Sequence, residues 1–456
     1  MTAARAARLG DPGEAGPERS EAARPVRVVL DARPLQEPDR APLTASYLAS
    51  LLAAFDAEPV EGESFALLLN SDADDPTEQF GHLDVVGRRL LPPTRLLRSG
   101  ALTVDPFLLS GASLGAAWRA DRSGAEGAVY HAAGGSIPLR TGLPLVVTLL
   151  DLAPWELPGA YQRGRAARFG QRLRGRLLKD AAAVIVGTDA VARAARRLLR
   201  LRRDRIHVVP LAPRPAFRIV DEAPGVPRAP SRAGAAGAAV AADPRRERER
   251  LGLPERYVIY SGRYDARQDL TTLLRALRDL TDAGRPASLA ADEPWPPRVL
   301  FAGATPDDRA ALARAAARED VSDALVYAPR LDDDRLAALV RGARAALLPV
   351  LSDGAGLPAI EAIACGVPVV ASTVGALPEI VGSAGILVEP RDPRRLASAL
   401  ETAFLDDRVH ATLADAARER ALNEPRTWAD VARETRAVYA HAAATADAAE
   451  TDLGPR

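Results

Sequence analysis

The stretch from Ala345 to Val388 reads AALLPVLSDGAGLPAIEAIACGVPVVASTVGALPEIVGSAGILV. Its opening run, Ala345–Leu351, is apolar and has the length of a strand. A turn-rich loop follows; then Pro358 stands where a first helical residue belongs, and Gly366 stands just past a helix end. The pattern predicts a strand, a glycine loop, a helix and a second strand over Val367–Ala371. The loop then lies at the carboxyl end of the first strand, where open parallel sheets bind ligands.

The residues of this loop suggest the kind of ligand it binds. Glycines let the backbone approach a ligand closely, and the free N–H groups of the following helix favour an anion. Two carboxylates, Asp353 and Glu361, flank the loop and are placed to accept hydrogen bonds from sugar hydroxyls.

The rest of the chain alternates strands with helices. In the first half a strand over Val26–Asp31 precedes a helix for which Thr44 is a plausible N-cap, and a basic helix covers roughly 160–179. In the second half Tyr257–Ser261 begins a similar series. This alternation predicts doubly wound α/β domains.

Composition changes divide the chain into segments. We expect a disordered N-terminus over 1–24, a first domain over 25–220, a linker with a low-complexity insertion over 221–255, and a second domain over 256–426. A terminal helix over 427–441 and a disordered tail over 442–456 complete the division.

The overall charge excludes some partners. Acidic and basic residues balance at 60 each in 456 residues, so net charge does not steer the protein towards nucleic acid or an anionic membrane. The single cysteine, Cys365, excludes an intrachain disulfide. Neither a secretory signal nor a membrane-spanning stretch is recognisable. We therefore expect a cytoplasmic protein with at most a peripheral contact at the inner face of the membrane.

The opening stretch also resembles the signature of family 4 glycosyltransferases. In that family an acidic pair brackets Gly-Phe-Gly-Leu-Pro, followed by Glu-Ala-Met-Ala-x-Gly-x-Pro-Val-Val-Ala-Ser. Here the segment reads DGAGLPAIEAIACGVPVVAS from Asp353 to Ser372, with Asp353 in place of Glu and Ala355 in place of Phe. Further similarities, especially to mannosyltransferase-like members, lie at Leu30–Leu35, Val129–His131, Val146–Pro154 and Arg205–Leu211.

The resemblance implies a fold and a reaction. The fold is GT-B, with two Rossmann-like doubly wound domains that face a central cleft. The reaction is transfer of a hexose, mannose-like, from a nucleotide-sugar donor to an acceptor hydroxyl with retention of configuration. GDP-mannose or a UDP-hexose is the implied donor, and a glycan, glycolipid or polysaccharide, including a lipid-linked one, the implied acceptor. No cofactor and no metal are implied.

Roles for individual residues follow from the same resemblance. Asp353 would contact the transferred sugar and Glu361 the ribose hydroxyls. The diphosphate would be held by Arg263, by Gln268 where the family has a Lys, and by the loop amides of Gly354, Ala355, Gly356 and Leu357. Arg267 is an alternative to Gln268 if its side chain turns into the cleft.

The first domain supplies three further candidates. Asp151 ends a strand, so it is a catalytic candidate, or it caps the loop that follows. His131 is either an acceptor-side residue or a polar residue at a strand end. Thr44 is the other acceptor-side candidate.

Four departures from the family pattern support a second hypothesis. They are Leu150 for a His, Gln268 for a Lys, Asp353 for a Glu, and no glycine turn within Gln36–Ser46. Losing one preorganised charge or donor commonly lowers a rate about a hundredfold or more. The alternative is therefore a catalytically weakened GT-B protein that binds a nucleotide-sugar or acts as a scaffolding subunit. An epimerase of the same two-domain architecture is a third and weaker hypothesis.

Overall fold

The structure is a computed structural model that describes residues 26–92, 104–111, 127–220 and 242–452. The N-terminus over 1–24 and most of the low-complexity insertion, 221–241, lie outside these ranges. Predictions of disorder and low complexity for those two segments stay predictions.

The first domain is built on a seven-stranded parallel sheet in the order β3-β2-β1-β4-β5-β6-β7. Its strands are β1 Arg27–Asp31, β2 Ser64–Asn70, β3 Val85–Leu91, β4 Ala128–Ala133, β5 Leu145–Thr148, β6 Ala183–Val186 and β7 Ile206–Val208. Its helices are α1 Arg33–Gln36, α2 Pro42–Ala57, α3 Ala153–Glu156, α4 Pro158–Tyr161, α5 Arg165–Asp180 and α6 Asp189–Leu199.

The second domain repeats this plan on six parallel strands in the order β10-β9-β8-β11-β12-β13. They are β8 Val258–Ser261, β9 Val299–Ala302, β10 Leu325–Tyr327, β11 Ala345–Leu348, β12 Val369–Ser372 and β13 Gly385–Val388. The helices are α7 Pro244–Arg250, α8 Leu270–Ala283, α9 Pro306–Arg318, α10 Asp333–Arg341, α11 Leu357–Ala364, α12 Leu377–Val381, α13 Pro393–Leu405, α14 Asp407–Asn423 and α15 Trp428–Asp452. The prediction of two doubly wound α/β domains is confirmed.

Several helix boundaries in the structure differ from those predicted from the sequence. Helix α2 buries the expected apolar stripe, but it starts at Pro42 with Ala41 as its N-cap, so the assignment of Thr44 as the cap is wrong. The basic helix is split, because α4 ends at Tyr161 and α5 begins at Arg165. Within the linker expected over 221–255, α7 is ordered against the second domain through an ion pair between Glu247 and Arg335 at 2.9 Å.

The opening stretch folds as the pattern predicts. Strand β11 ends at Leu348, and α11 begins at Leu357 with Pro358 as its second residue. Gly366 follows the C-cap with a φ of +74°, in the left-handed region that glycine adopts at no steric cost. The loop between β11 and α11 therefore lies at the carboxyl edge of the second sheet.

The terminal helix α15 returns to the first domain. Its Tyr439 hydroxyl lies 2.7 Å from Nδ1 of His131 on β4, and Trp428 packs edge-on against Tyr47 of α2. The tail was expected to be disordered from residue 442, but the helix continues to Asp452, and Ala442 and Ala443 are buried. Apolar residues on its inner side extend the helix beyond the predicted end.

A buried ion pair joins α15 to the first domain. Arg436 on α15 binds the Glu63 carboxylate through Nη2 at 2.8 Å and Nε at 3.0 Å, donates to the Glu58 carbonyl, and stacks on the ring of Phe55. Breaking a buried pair by removing one partner leaves an uncompensated charge.

We predict that Arg436→Ala lowers the free energy of unfolding by about 3–5 kcal/mol, because Glu63 stays buried without its partner. Arg433→Ala on the same helix is the control, since its exposed pair with Asp430 contributes about 1 kcal/mol or less. Urea unfolding followed by tryptophan fluorescence measures both. Equal effects of the two variants would contradict the buried pair.

Candidate functional site

The loop after β11 is folded around the Asp353 side chain. Its Oδ1 accepts hydrogen bonds from the amides of Ala355 at 3.0 Å and Gly356 at 2.6 Å. Burial raises the pKa of Asp353 to about 6, although these two amides favour the charged form. The amides at the start of α11 thus bind an anionic group, here the chain's own carboxylate.

The backbone of this loop packs directly against the backbone of the first domain. A Cβ atom on Gly354 would lie 2.5 Å from the carbonyl oxygen of Leu150, so only glycine permits this approach. Beside it, Ser352 donates to the Glu156 carboxylate of α3. The carboxyl edges of the two sheets therefore face each other, and side chains from both domains share one cleft.

Glu361 is buried on α11 and bound on both oxygens. Arg214, from the segment after β7, contacts Oε1 through Nε at 2.5 Å and Oε2 through Nη2 at 3.0 Å. The Arg214 guanidinium also pairs with Asp333 and stacks on the ring of Phe217. Burial raises the pKa of Glu361, and Arg214 opposes that shift. The role implied for Glu361 at the ribose hydroxyls requires Arg214 to release it.

Arg267 links the two domains. Its Nη1 lies 3.2 Å from Oδ2 of Asp151, and its Nη2 lies 2.9 Å from Asp265. Asp151 also accepts from the amide of Ala153 at 2.7 Å, so it caps the following loop and faces the cleft as well. Arg267 therefore turns into the cleft, which is the condition on which it could replace Gln268.

Arg263 and Gln268 have other contacts. Arg263 pairs with Asp308 and donates to the main-chain carbonyl of Asp39, which lies in the segment where the family's glycine turn is missing. The Asp39 carboxylate pairs with Arg330 at 2.9 Å. Gln268 forms an isolated bridge to Val350 through its backbone. The first domain thus contacts two arginines at the edge of the second sheet.

His131 lies inside the first domain and not at the surface of the cleft. The structure buries it completely, with Nε2 at 2.8 Å from the Thr148 hydroxyl and Nδ1 at 2.7 Å from the Tyr439 hydroxyl. Burial lowers its pKa to about 3, so the ring is neutral at physiological pH. Thr44 is buried too, but its side chain lies beside Gly134 and Leu150 at the carboxyl edge of the first sheet.

Sequence reasoning missed two groups of residues. Arg214 and Asp39 are far in sequence from their partners, and neither belongs to a motif. At the end of β1, Arg33 binds the Asp31 carboxylate at 2.8 Å through both Nε and Nη2 and reaches Asp105 at 3.3 Å. The resemblance at Leu30–Leu35 was the available signal for this buried cluster.

A cavity of about 870 Å³ lies between the domains on the linker side. It is lined by Arg214 and Glu379, by apolar residues of α11, and by charged and apolar residues between Arg420 and Trp428. Asp151, Arg263 and Asp353 do not line it. The cavity therefore adjoins the candidate site without containing its charged centre.

Two family models match the chain, one for each domain. "Glycosyl transferase 4-like domain" matches residues 44–212, and "Glycosyl transferases group 1" matches residues 255–406. A D-inositol 3-phosphate glycosyltransferase from Frankia alni is 31% identical over 315 residues, which are 67% of this chain and 70% of that protein. The chain belongs to the group 1 glycosyltransferases. Its recognition as a family 4 member is confirmed.

Other relatives match shorter parts. A D-inositol 3-phosphate glycosyltransferase from Acidothermus cellulolyticus is 32% identical over 60% of this chain and 57% of its own length. An MMP alpha-(1->4)-mannosyltransferase from Mycolicibacterium hassiacum is 42% identical over 27% of this chain and 31% of its own. The matched part thus spans 57% of the first of these relatives and 31% of the second.

Solved structures confirm the GT-B fold. Sucrose-phosphate synthase from Thermosynechococcus elongatus superposes with a TM-score of 0.64 at 20% identity, covering 93% of this chain and all of that one. The Anabaena protein HepE, in complex with UDP and glucose, superposes with a TM-score of 0.61 at 16% identity, again over 93% of this chain and all of that one.

We predict that Arg214→Met destabilises the protein by about 3 kcal/mol or more, because the Glu361 carboxylate remains buried without its partner. The double variant with Glu361→Gln should recover much of this loss. Thermal unfolding of the single and double variants gives the coupling energy, with the exposed Arg218→Met as control. Additive effects of the two substitutions would mean that the side chains are not coupled.

The raised pKa of Asp353 predicts a pH dependence. The folded state holds the proton more tightly than the unfolded state, so this group reduces stability as pH rises through about 6. Asp353→Asn should therefore have a higher melting temperature than wild type at pH 8, and the difference should vanish near pH 4. The exposed Asp292→Asn should give no such difference. A constant difference at every pH would contradict the prediction.

Proposed function

We propose that the protein transfers a sugar from a nucleotide-sugar donor to an acceptor hydroxyl in glycan, glycolipid or polysaccharide synthesis. One observation carries this proposal: the signature loop of the second domain, with Asp353 and an anion-binding helix start, lies directly against Leu150 and Asp151. These two residues follow β5, which ends at Thr148 and so is shorter than the strand predicted to end at Asp151. Family membership supports the same reaction class.

Donor binding would exchange internal contacts for ligand contacts. The diphosphate would take the place of the Asp353 carboxylate at the amides of Ala355 and Gly356, and Asp353 would then turn to the transferred sugar. Arg267 and Arg263 would neutralise charge on the departing phosphate. Ribose hydroxyls would replace Arg214 at Glu361.

The proposed chemistry retains configuration and needs no separate strong base. The bond between the anomeric carbon and the phosphate oxygen breaks, and the acceptor oxygen forms a bond on the same face. Its proton goes to the departing phosphate. Fixed cations and the start of α11 supply charge stabilisation in this scheme, so we propose a metal-independent reaction.

The relatives support a nucleotide-linked hexose as the donor, but they differ in the sugar and the nucleotide. The mannosyltransferase relative supports a mannose donor such as GDP-mannose, whereas the HepE complex, which holds UDP and glucose, supports a UDP-hexose. We propose a hexose, mannose-like, with either nucleotide to be tested.

The alternative function is a catalytically weakened, nucleotide-sugar-binding or scaffolding subunit. The observation that favours it is the pairing of the candidate charges with the protein's own groups. Glu361 holds Arg214, Arg263 holds Asp308, and Arg267 holds Asp151. Each pair must open before a donor can use these groups.

Donor binding and donor hydrolysis distinguish the two functions. Calorimetric titration with GDP-mannose and UDP-glucose should show binding, and hydrolysis of the bound donor should follow. We predict that Gln268→Lys tightens binding about tenfold, because a cation would be added beside the diphosphate. The exposed Gln79→Lys adds the same charge to the first domain away from the cleft and should change nothing.

Each outcome has a separate meaning. Failure of both donors to bind at millimolar concentration would contradict the enzyme and the binding subunit alike. Binding without hydrolysis, and without transfer to any acceptor pool, would favour the weakened subunit. An equal gain from both lysine variants would place Gln268 away from the diphosphate.

A further inference from the structure

The positive charge of this protein is concentrated in one part of the first domain. The whole chain has a formal net charge of zero, yet the segment from Arg163 to Arg205 contains fourteen basic residues and three acidic ones. Because the net charge is zero, the rest of the chain carries the opposite excess.

Helices α5 and α6 bring these residues to one surface. They connect β5 to β6 and β6 to β7, which are adjacent parallel strands, so right-handed crossovers place both helices on the same side of the sheet. Their inner residues, including Leu178 and Val191, belong to the same core cluster. The outward side chains form what we call the basic face: Arg165, Arg168, Arg172, Arg176, Lys179, Arg193, Arg196, Arg197 and Arg200, all exposed.

The cations of the basic face lack acidic partners. Within the described ranges, none of the nine has an ion pair, whereas Arg418 pairs with Asp415 and Arg433 with Asp430 on α14 and α15. Exposed arginines without an ion pair also occur on other helices of the described chain, as Arg314 and Arg318 do on α9, but in smaller numbers. The basic face differs because it gathers nine unpaired cations on two adjacent helices, and such a surface attracts an external anionic partner.

Apolar side chains stand among these cations. Phe169 on α5 is 57% exposed and Leu198 on α6 is 37% exposed. A large exposed aromatic ring between arginines is typical of a helix that lies in a membrane interface, where the ring enters the acyl boundary and the cations bind lipid headgroups. The phosphates of a nucleic acid would neutralise the cations, but they would offer Phe169 and Leu198 no apolar environment.

We propose that the basic face docks on an anionic lipid bilayer. Arginines near such a surface each add to the attraction, so nine of them together are sufficient for reversible attachment. In the described part of the chain, no helix is long and apolar enough to cross a bilayer. Docking would therefore be peripheral, electrostatic and salt-sensitive.

The orientation of the helices connects this face to the cleft. Strand β6 ends at the carboxyl edge of the sheet, and the first amides of α6, at Asp189 and Ala190, are bound by Glu379 of the second domain. Arg174 of α5 reaches the carbonyl of Gly134 after β4. Both helices thus reach the cleft edge, and docking would hold the cleft mouth beside the bilayer. If the proposed function holds, this placement deepens it by assigning a lipid-anchored acceptor.

Vesicle cosedimentation of the full-length protein tests the docking. We expect binding to vesicles with about one third phosphatidylglycerol, weak or no binding to pure phosphatidylcholine, and release as salt rises above about 0.1 M. Substituting Arg165, Arg168, Arg172 and Arg176 by Gln should weaken binding about a hundredfold or more. Phe169→Ser should weaken it about tenfold and leave the salt dependence unchanged.

The control removes four cations from the second domain instead. The substitutions Arg275→Gln, Arg278→Gln, Arg314→Gln and Arg318→Gln change net charge by the same amount on α8 and α9, and they should leave vesicle binding intact. Equal loss in both quadruple variants, or no vesicle binding by wild type at low salt, would overturn the proposal. Binding to single-stranded RNA without binding to vesicles would overturn it as well.

Donor hydrolysis in solution separates this proposal from the proposed function. The substitutions on α5 lie outside the cleft, so hydrolysis without vesicles should be unchanged. Vesicle binding by a protein that binds no donor would leave the docking proposal standing while contradicting the enzyme. Donor turnover by a protein that ignores vesicles would do the opposite.

Discussion

The contact between Gly354 and the Leu150 carbonyl is the constraint on which the site depends. Any Cβ at residue 354 would lie within 2.5 Å of that oxygen, so the two domains approach at this point only because a side chain is missing. A similar contact holds the loop from behind, where a Cβ on Gly375 would lie 1.7 Å from the Asp353 carbonyl. The loop of the second domain is fixed between a first-domain strand and its own neighbouring turn, and the charged groups of both domains are positioned as a result.

Two arginines pair with carboxylates of the cleft across the domain boundary. Arg214 comes from the segment after the first sheet and holds a carboxylate of the second domain, while Arg267 comes from the second domain and holds a carboxylate of the first. Guanidinium groups suit this task, because their planar fork binds a carboxylate at two points and matches phosphate equally well. A phosphate ligand would therefore replace one anion by another of similar geometry. Such a ligand binds only if its contacts with these arginines are more favourable than the internal ion pairs that it replaces.

The sequence was most informative where chemistry is local. The strand, glycine loop and helix after Ala345 follow from spacing alone, and the stripe from Tyr47 to Phe55 follows from periodicity. Arg214 was out of reach, because its partner Glu361 lies 147 positions away. His131 shows a different limit: a histidine at a strand end has the same local pattern whether it faces a cleft or, as here, lies beneath a helix more than 300 residues further along the chain. Tertiary contacts decided both cases.

The return of α15 makes the first domain discontinuous in the polypeptide. Tyr47, Glu63 and His131 are contacted by Trp428, Arg436 and Tyr439, so this part of the first domain cannot complete its core until a helix more than 300 residues later has been synthesised. During synthesis the second domain can close on its own sheet while the first still exposes an apolar surface on α2 and lacks the partner of a buried carboxylate. The chain therefore has no cut point at the linker that yields two complete domains. An exchange of domains between relatives would have to carry the last helix together with the first half.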